Sequence, residues 1–427
     1  MEGAAWRDDF GEEAPRAPFV PDRAEKWGVP ASIILGYAWV MHGLSDGAAG
    51  KGWLVAFAAM LCLGVGLATR GERRSRECWV WLSCLWTCLL GGVFGKNRVW
   101  GEHVWLLIHA FGAYWMLARS GRLLEDGGSS IRLPADLIHG LAVVPFGNFL
   151  MRVRAIKAMA AEWKDGRRLN PLAALSAFVA AAVALALFYL AAAMLSDADP
   201  NFERLAGGLL EGLDRIGLMG VLPRLLLSLP VGAYLYALVF GLRRETMEKV
   251  AARRSALDAG IAAARRVPKA VWPALMGLFA AMYAAFFALQ GSYLFDGLRG
   301  LLPEAFTASE YARRGFFELC GVMAVNFTLL GLSAATAEGG LRANPTARWL
   351  ATILLVESAL LAVTAGAKLW LYIDRFGFTP LRLQSAWLVA VLFMGCLAAL
   401  RHLWTGRDTT LAWLLFSGVA LAALCLV

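Results

Sequence analysis

Charge is scarce in this sequence. Asp, Glu, Lys and Arg together make up 17% of the 427 residues, while 59% are hydrophobic, and a soluble domain carries about a quarter charged residues. Histidine is rarer still, at five. The seven cysteines, at 62, 78, 84, 88, 320, 396 and 425, form no CxxC, and none has a histidine at metal spacing. Cys84 and Cys88 share a helix face, but two ligands do not make a zinc site, so neither a metal nor a disulfide framework is expected. Motifs for common chemistries are missing as well. The nearest approach to a phosphate-binding loop, GGVFGKN at 91–97, has the wrong glycine spacing and no Ser or Thr after the lysine. No H-E-x-x-H, G-x-S-x-G or dinucleotide fingerprint occurs. This argues against an ATPase, a zinc peptidase and a serine hydrolase, and implies no cofactor.

What is present is apolar sequence in long runs. A bilayer core about 30 Å thick takes roughly 20 apolar residues per helix, and within lipid the backbone must satisfy its own hydrogen bonds. The reading is all-α: a polytopic helical membrane bundle with about eleven spans, near 29–45, 52–69, 78–95, 103–118, 172–194, 225–242, 270–290, 316–336, 349–372, 383–400 and 410–427. Four regions follow. Residues 1–28 read as a flexible cytoplasmic tail without the apolar core of a signal peptide. Residues 29–118 hold four spans, 119–171 form a basic interfacial segment, and 172–427 hold the remaining seven.

The formal net charge is +9, yet its placement speaks for lipid rather than nucleic acid. With the tail inside, alternate loops divide the 41 Lys and Arg residues 29 to 12 in favour of the cytoplasm. This predicts the N-terminus inside and the C-terminus outside. The segments 119–168 and 243–269 read as amphipathic helices on anionic headgroups. The outer loops 195–224 and 291–315 read as short surface helices.

One stretch carries unusual charge at the start of a span. In TASEYARRGFFEL, residues 307–319, Thr307 and Glu310 have capping-box spacing and predict a helix from about Ala308. Glu310, Arg314 and Glu318 then form a same-face ladder of alternating sign. Either the ladder only caps the outer end of the span and lets arginine snorkel to phosphates, or it lines the mouth of a cavity in which Arg313 or Arg314, with Tyr311, Glu310 and Glu318, binds an anionic headgroup or small anionic substrate. Across the membrane surface, Asp374, Arg375 and Arg382 flank a Gly-Phe-Thr-Pro turn, with Pro380 opening the next helix. A plain helical hairpin and a share in the same outer site are both open there.

Four polar groups fall within spans. Glu357 is too deep for its short carboxylate to reach headgroups, and such a group costs several kcal/mol unless neutral or paired. It reads as a structural hydrogen bond or as a proton- or ion-coupling group. Asn326 and His109 read first as interhelical hydrogen bonds. Lys368 reads as an anchor that snorkels to the surface.

SDADPNF (196–202), QGSYLF (290–295), EYARRGFFEL (310–319) and YIDRFGFTPLRL (372–383), in that order, resemble the bacterial multi-pass membrane families catalogued as domains of unknown function forty-one fifty-three and forty-one seventy-three. The likeness covers about 170–427. It departs where the families have Tyr-Ala before the Glu-Tyr pair and this chain has Ala308 and Ser309. It implies a bacterial inner-membrane protein with its patterned residues outside, and carries no activity. Three functions are in view: a secondary transporter or lipid-handling permease, a membrane enzyme on a lipid-linked envelope substrate, and a sensor or assembly subunit without chemistry. The enzyme would draw a base or nucleophile from Glu310, Glu318, Asp296, Asp374 or Tyr311. The transporter requires Glu357, Asn326 and the 307–319 ladder to border one polar cavity.

Overall fold

The computed structural model describes residues 19–70, 75–94, 103–125, 128–163, scattered positions between 181 and 208, 218–296 and 308–426. Among these, helices dominate and the only β pairing is two isolated bridges. The elements are α1 (Arg23–Leu44), α2 (Gly47–Ala68), α3 (Cys78–Phe94), α4 (Val104–Ser120), α5 (Leu133–Ile138), a π-helical turn (His139–Val143), α6 (Val144–Gly147) and α7 (Met151–Trp163). They continue with α8 (Leu218–Arg244), α9 (Met247–Ala264), α10 (Val271–Asp296), α11 (Ala308–Thr336), α12 (Pro345–Phe376), α13 (Pro380–Thr405) and α14 (Thr410–Ala423), closed by a 3₁₀ turn at Leu424–Leu426.

Ten of the eleven expected spans are helices, and the eleventh, 172–194, falls largely outside the described residues. Seven stretches are long and apolar enough to cross a bilayer: Gly47–Ala68, Leu133–Glu162, Pro223–Arg244, Val271–Leu289, Glu318–Thr336, Pro345–Phe376 and Pro380–Thr405. Cys78–Phe94 and Thr410–Leu426 are shorter apolar helices. The second of the seven differs from the interfacial reading of 119–171. It is broken by a π turn and by a turn at 148–150, so its length comes from short pieces joined end to end.

Local chemistry explains the helix ends. Asp22 and Glu25 form a reciprocal capping box, so α1 starts at Arg23, inside what reads in sequence as tail. Asn344 caps α12 with Pro345 in its first turn, and Thr379 with Pro380 does the same for α13. The described part of helix α11 runs from Ala308, and Thr307, its expected cap, lies outside the described residues. Of the expected tail, residues 1–18 lie outside the described residues, as do most of the loops 195–224 and 291–315.

The chain forms two compact units. One comprises 1–45, 57–68 and 145–241, and the other 46–56, 69–144 and 242–427. In the first, α1 and α8 cross on small residues. A Cβ on Gly36 would sit 2.3 Å from the Ser228 carbonyl oxygen, and one on Gly232 would sit 2.4 Å from that of Ser32. Small residues let two backbones approach this closely, which is how helices associate where lipid removes any hydrophobic drive. Around the crossing Val29, Met151, Ala155, Tyr236 and Phe240 form the core, and the Tyr236 hydroxyl donates to the Glu25 carbonyl at 3.2 Å.

In the second unit α12 is central and packs against α10, α11 and α13. Two apolar clusters lie along it. One gathers Met276, Tyr283, Leu330, Leu354, Cys396 and Leu403, the other Phe316, Met323, Leu361, Ala365, Leu369 and Val389. Helix α14 packs on α3, where the Cys425 and Cys88 thiols are 3.2 Å apart and both free.

Candidate functional site

Between the two apolar clusters of α12 runs a polar belt. Asn326, from α11, is fully buried and donates from Nδ2 to Ser358 Oγ at 2.9 Å, and Ser358 in turn donates to the Leu354 carbonyl at 2.7 Å. Residue 357 precedes that serine. Glu357 is 7% exposed, and its Oε2 is shielded from solvent with no hydrogen-bond partner, as is Asn326 Oδ1. Tyr283, from α10, lies within electrostatic range of the Glu357 carboxylate. Counting from Pro345 at about 1.5 Å per residue, Glu357 sits about 18 Å along α12, deep in a membrane-length helix.

The same face of α12 carries a second charge. Glu357, Leu361, Thr364 and Lys368 recur at helical spacing and all are buried. Lys368, expected to snorkel, is instead 1% exposed and electrostatically coupled to Glu318 of α11, which is itself exposed. The correction has a plain cause. Periodicity places Lys368 on the Glu357 stripe, and that stripe faces α11 rather than lipid.

The remaining sequence candidates scatter. Helix α11 contains Glu310, Tyr311, Arg313 and Arg314, but their side chains lie outside the described residues. Asp374 and Arg375 are exposed at the end of α12. Arg382 is engaged locally. Its guanidinium donates to the carbonyls of Phe376, at 2.9 Å, and Gly377, and stacks on the Tyr372 ring 4.0 Å from its centroid. It therefore satisfies the carbonyls that α12 leaves open at its end. His109 hydrogen-bonds to the Trp105 carbonyl one turn back, at 2.6 Å.

A second constellation was not singled out in the sequence. The basic segments 119–168 and 243–269, read there as separate lipid anchors, are joined by charge at one end of the second unit. Glu245 accepts from His139 Nε2 at 3.1 Å and pairs with Arg253 Nη2 at 2.9 Å. Arg132 pairs with Asp258 at 2.6 Å, and Glu125 bridges Arg254 at 2.8 Å and Arg132 at 3.4 Å. Asp136, 1% exposed, accepts from the Leu124 amide at 3.0 Å. Arg122 donates to the carbonyls of Leu242 and Arg243 and closes the end of α8. Burial pushes the Arg253 guanidinium below its usual pKa, and the carboxylates of Glu245 and Asp136 oppose that. Only one signal could have found this network: Asp136 and His139 three apart in an apolar stretch, with Glu245 and Asp258 in a basic one.

Cavities lie elsewhere. One of about 280 Å³ lies against Arg254 and Asp258, and one of about 290 Å³ is an apolar groove along α1, α2 and α8 in the first unit. A third, also about 290 Å³, lies between α12 and α13. None of the three is lined by Glu357 or Asn326.

The match to known families now extends the sequence resemblance. A family model described as Domain of unknown function (DUF4153) matches residues 31–427. The chain belongs to this family. Its span brings residues 31–170, which lie outside the sequence resemblance, into the same family domain. No curated protein and no solved structure matches.

Proposed function

We propose that this DUF4153 member is a secondary transporter or lipid-handling permease with Glu357 as its coupling group. The observation that carries the reading is the buried Glu357 Oε2 without a partner, within electrostatic range of Tyr283 and one residue from the Asn326–Ser358 hydrogen bond. An ionisable group at such depth is costly, and in membrane proteins it marks ion and substrate pathways. None of the three cavities described borders the belt. The Asn326–Ser358 hydrogen bond supports a second reading, an assembly or sensor subunit in which the belt only fixes the packing of α11 and α12.

Proteoliposomes containing a pH-sensitive dye separate the two. An imposed potential should drive proton entry with the native protein and not with Glu357→Gln. Equal entry with both proteins, or none above empty vesicles, would remove the transporter reading and leave the subunit.

A further inference from the structure

The cavity between α12 and α13 has a shape that the belt does not explain. Small residues line it from both helices: Ala362 and Gly366 on α12, Ala386 and Ala390 on α13. Each pair is four apart, the spacing that normally draws two helices together. Here they line an apolar groove whose lining also includes Trp370 and Phe393. A glycine in a helix interior costs about 0.5–1 kcal/mol relative to alanine, and Gly366 is not required by crowding. A Cβ there would meet Val389 at 3.6 Å, an ordinary contact.

Length and charge indicate what fills the groove. Its α12 lining runs from Ala362 to Ile373, about 16 Å at 1.5 Å per residue, which is one leaflet of a core about 30 Å thick. It lies wholly within two membrane-length helices and ends at their shared turn. That turn presents the exposed Arg375 and the charge of Arg382, against the single carboxylate of Asp374, with Trp370, Phe376 and Phe378 exposed around it. Aromatic rings beside cations are the usual signature of headgroup depth.

We propose that this groove seats one acyl chain of a diacyl phospholipid whose phosphate rests at the α12–α13 turn beside Arg382, which stands four residues before Ala386 on the groove-lining face of α13. The seat is independent of whether Glu357 couples transport. Arg382 takes the headgroup role with the guanidinium nitrogens other than the Nη1 that closes the end of α12, whereas Arg375, nine residues after Gly366, stands on the opposite face of α12.

Native mass spectrometry of the purified full chain, titrated with phosphatidylglycerol in detergent, tests the seat. One lipid should be retained by the native protein and by Glu357→Gln. Retention should be lost in Gly366→Leu and in Ala390→Leu, either of which fills the groove, and whichever variant keeps the native melting profile is the one to read. Arg382→Gln should weaken retention about fivefold, the effect of one basic residue at a lipid surface. Gly321→Leu, at a position with nothing within 4 Å, should change nothing. Unchanged retention in a folded groove-filling variant overturns the proposal, and so does displacement of the lipid by inorganic phosphate alone. Loss of retention in Glu357→Gln would also overturn it, by tying the lipid to the belt.

Discussion

Asn326 on α11 and Ser358 on α12 meet at 2.9 Å with both side chains buried, and they join the two helices at the level where Glu357 is placed. Interhelical hydrogen bonds of this kind average about 0.6 kcal/mol and reach about 1.7. A double-mutant cycle of Asn326→Leu and Ser358→Ala, read by denaturant titration in micelles, should return a coupling in that range. Strict additivity would mean that the contact contributes nothing.

The α1–α8 crossing should be intolerant of volume. Gly36→Leu or Gly232→Val would drive side-chain carbon into main-chain atoms that cannot rotate away, at a cost of about 1–3 kcal/mol or more. Gly43→Ala, on the same α1 with nothing within 4 Å, should be neutral or slightly stabilising. Thermal unfolding of the three variants checks the contrast, and equal effects at Gly43 and Gly36 would refute close packing.

The charged network should be sensitive to salt. Arg132→Ala removes the pairs to Asp258 and Glu125, which are partly exposed and worth about 0.2–1 kcal/mol each. Amide exchange in α9 should rise in this variant at low ionic strength, and the difference from the native protein should shrink at high salt as the pairs are screened.

Asp408 supplies a pH dependence. Its carboxylate accepts from the Thr410 amide at 2.8 Å ahead of α14, and hydrogen bonds to Thr410 hold its pKa below the ordinary carboxylate value, with His402 adding in the same sense. A depressed folded-state pKa gives stability that is complete above the unfolded value near 4 and lost as pH falls through the folded one. The native protein should melt above Asp408→Asn at neutral pH, and the gap should close in acid. A gap independent of pH would show that the charge is not involved.

How far the sequence could be read depended on the range of the interaction. Pro380 marked where the next helix opens, and α13 does begin there. Glu357 was legible as an anomaly because the cost of an ionisable group in an apolar run needs no partner to be known. Lys368 was misread for the complementary reason. A lysine eight residues from a helix end can snorkel or be buried, and the neighbouring helix decides which. The pairing of His139 with Glu245 spans 106 positions, and no local pattern carries it.

Sequence alone determined that this chain would be a helical membrane protein and where most of its helices would run, because the bilayer imposes length and apolarity on each segment separately. Tertiary structure decided which polar groups meet. It set Asn326 on Ser358, turned Lys368 toward α11, spent Arg382 on the end of α12 and tied the two basic segments to each other. These outcomes depend on helix rotation and on neighbours distant in the chain, and they are fixed only when the helices pack.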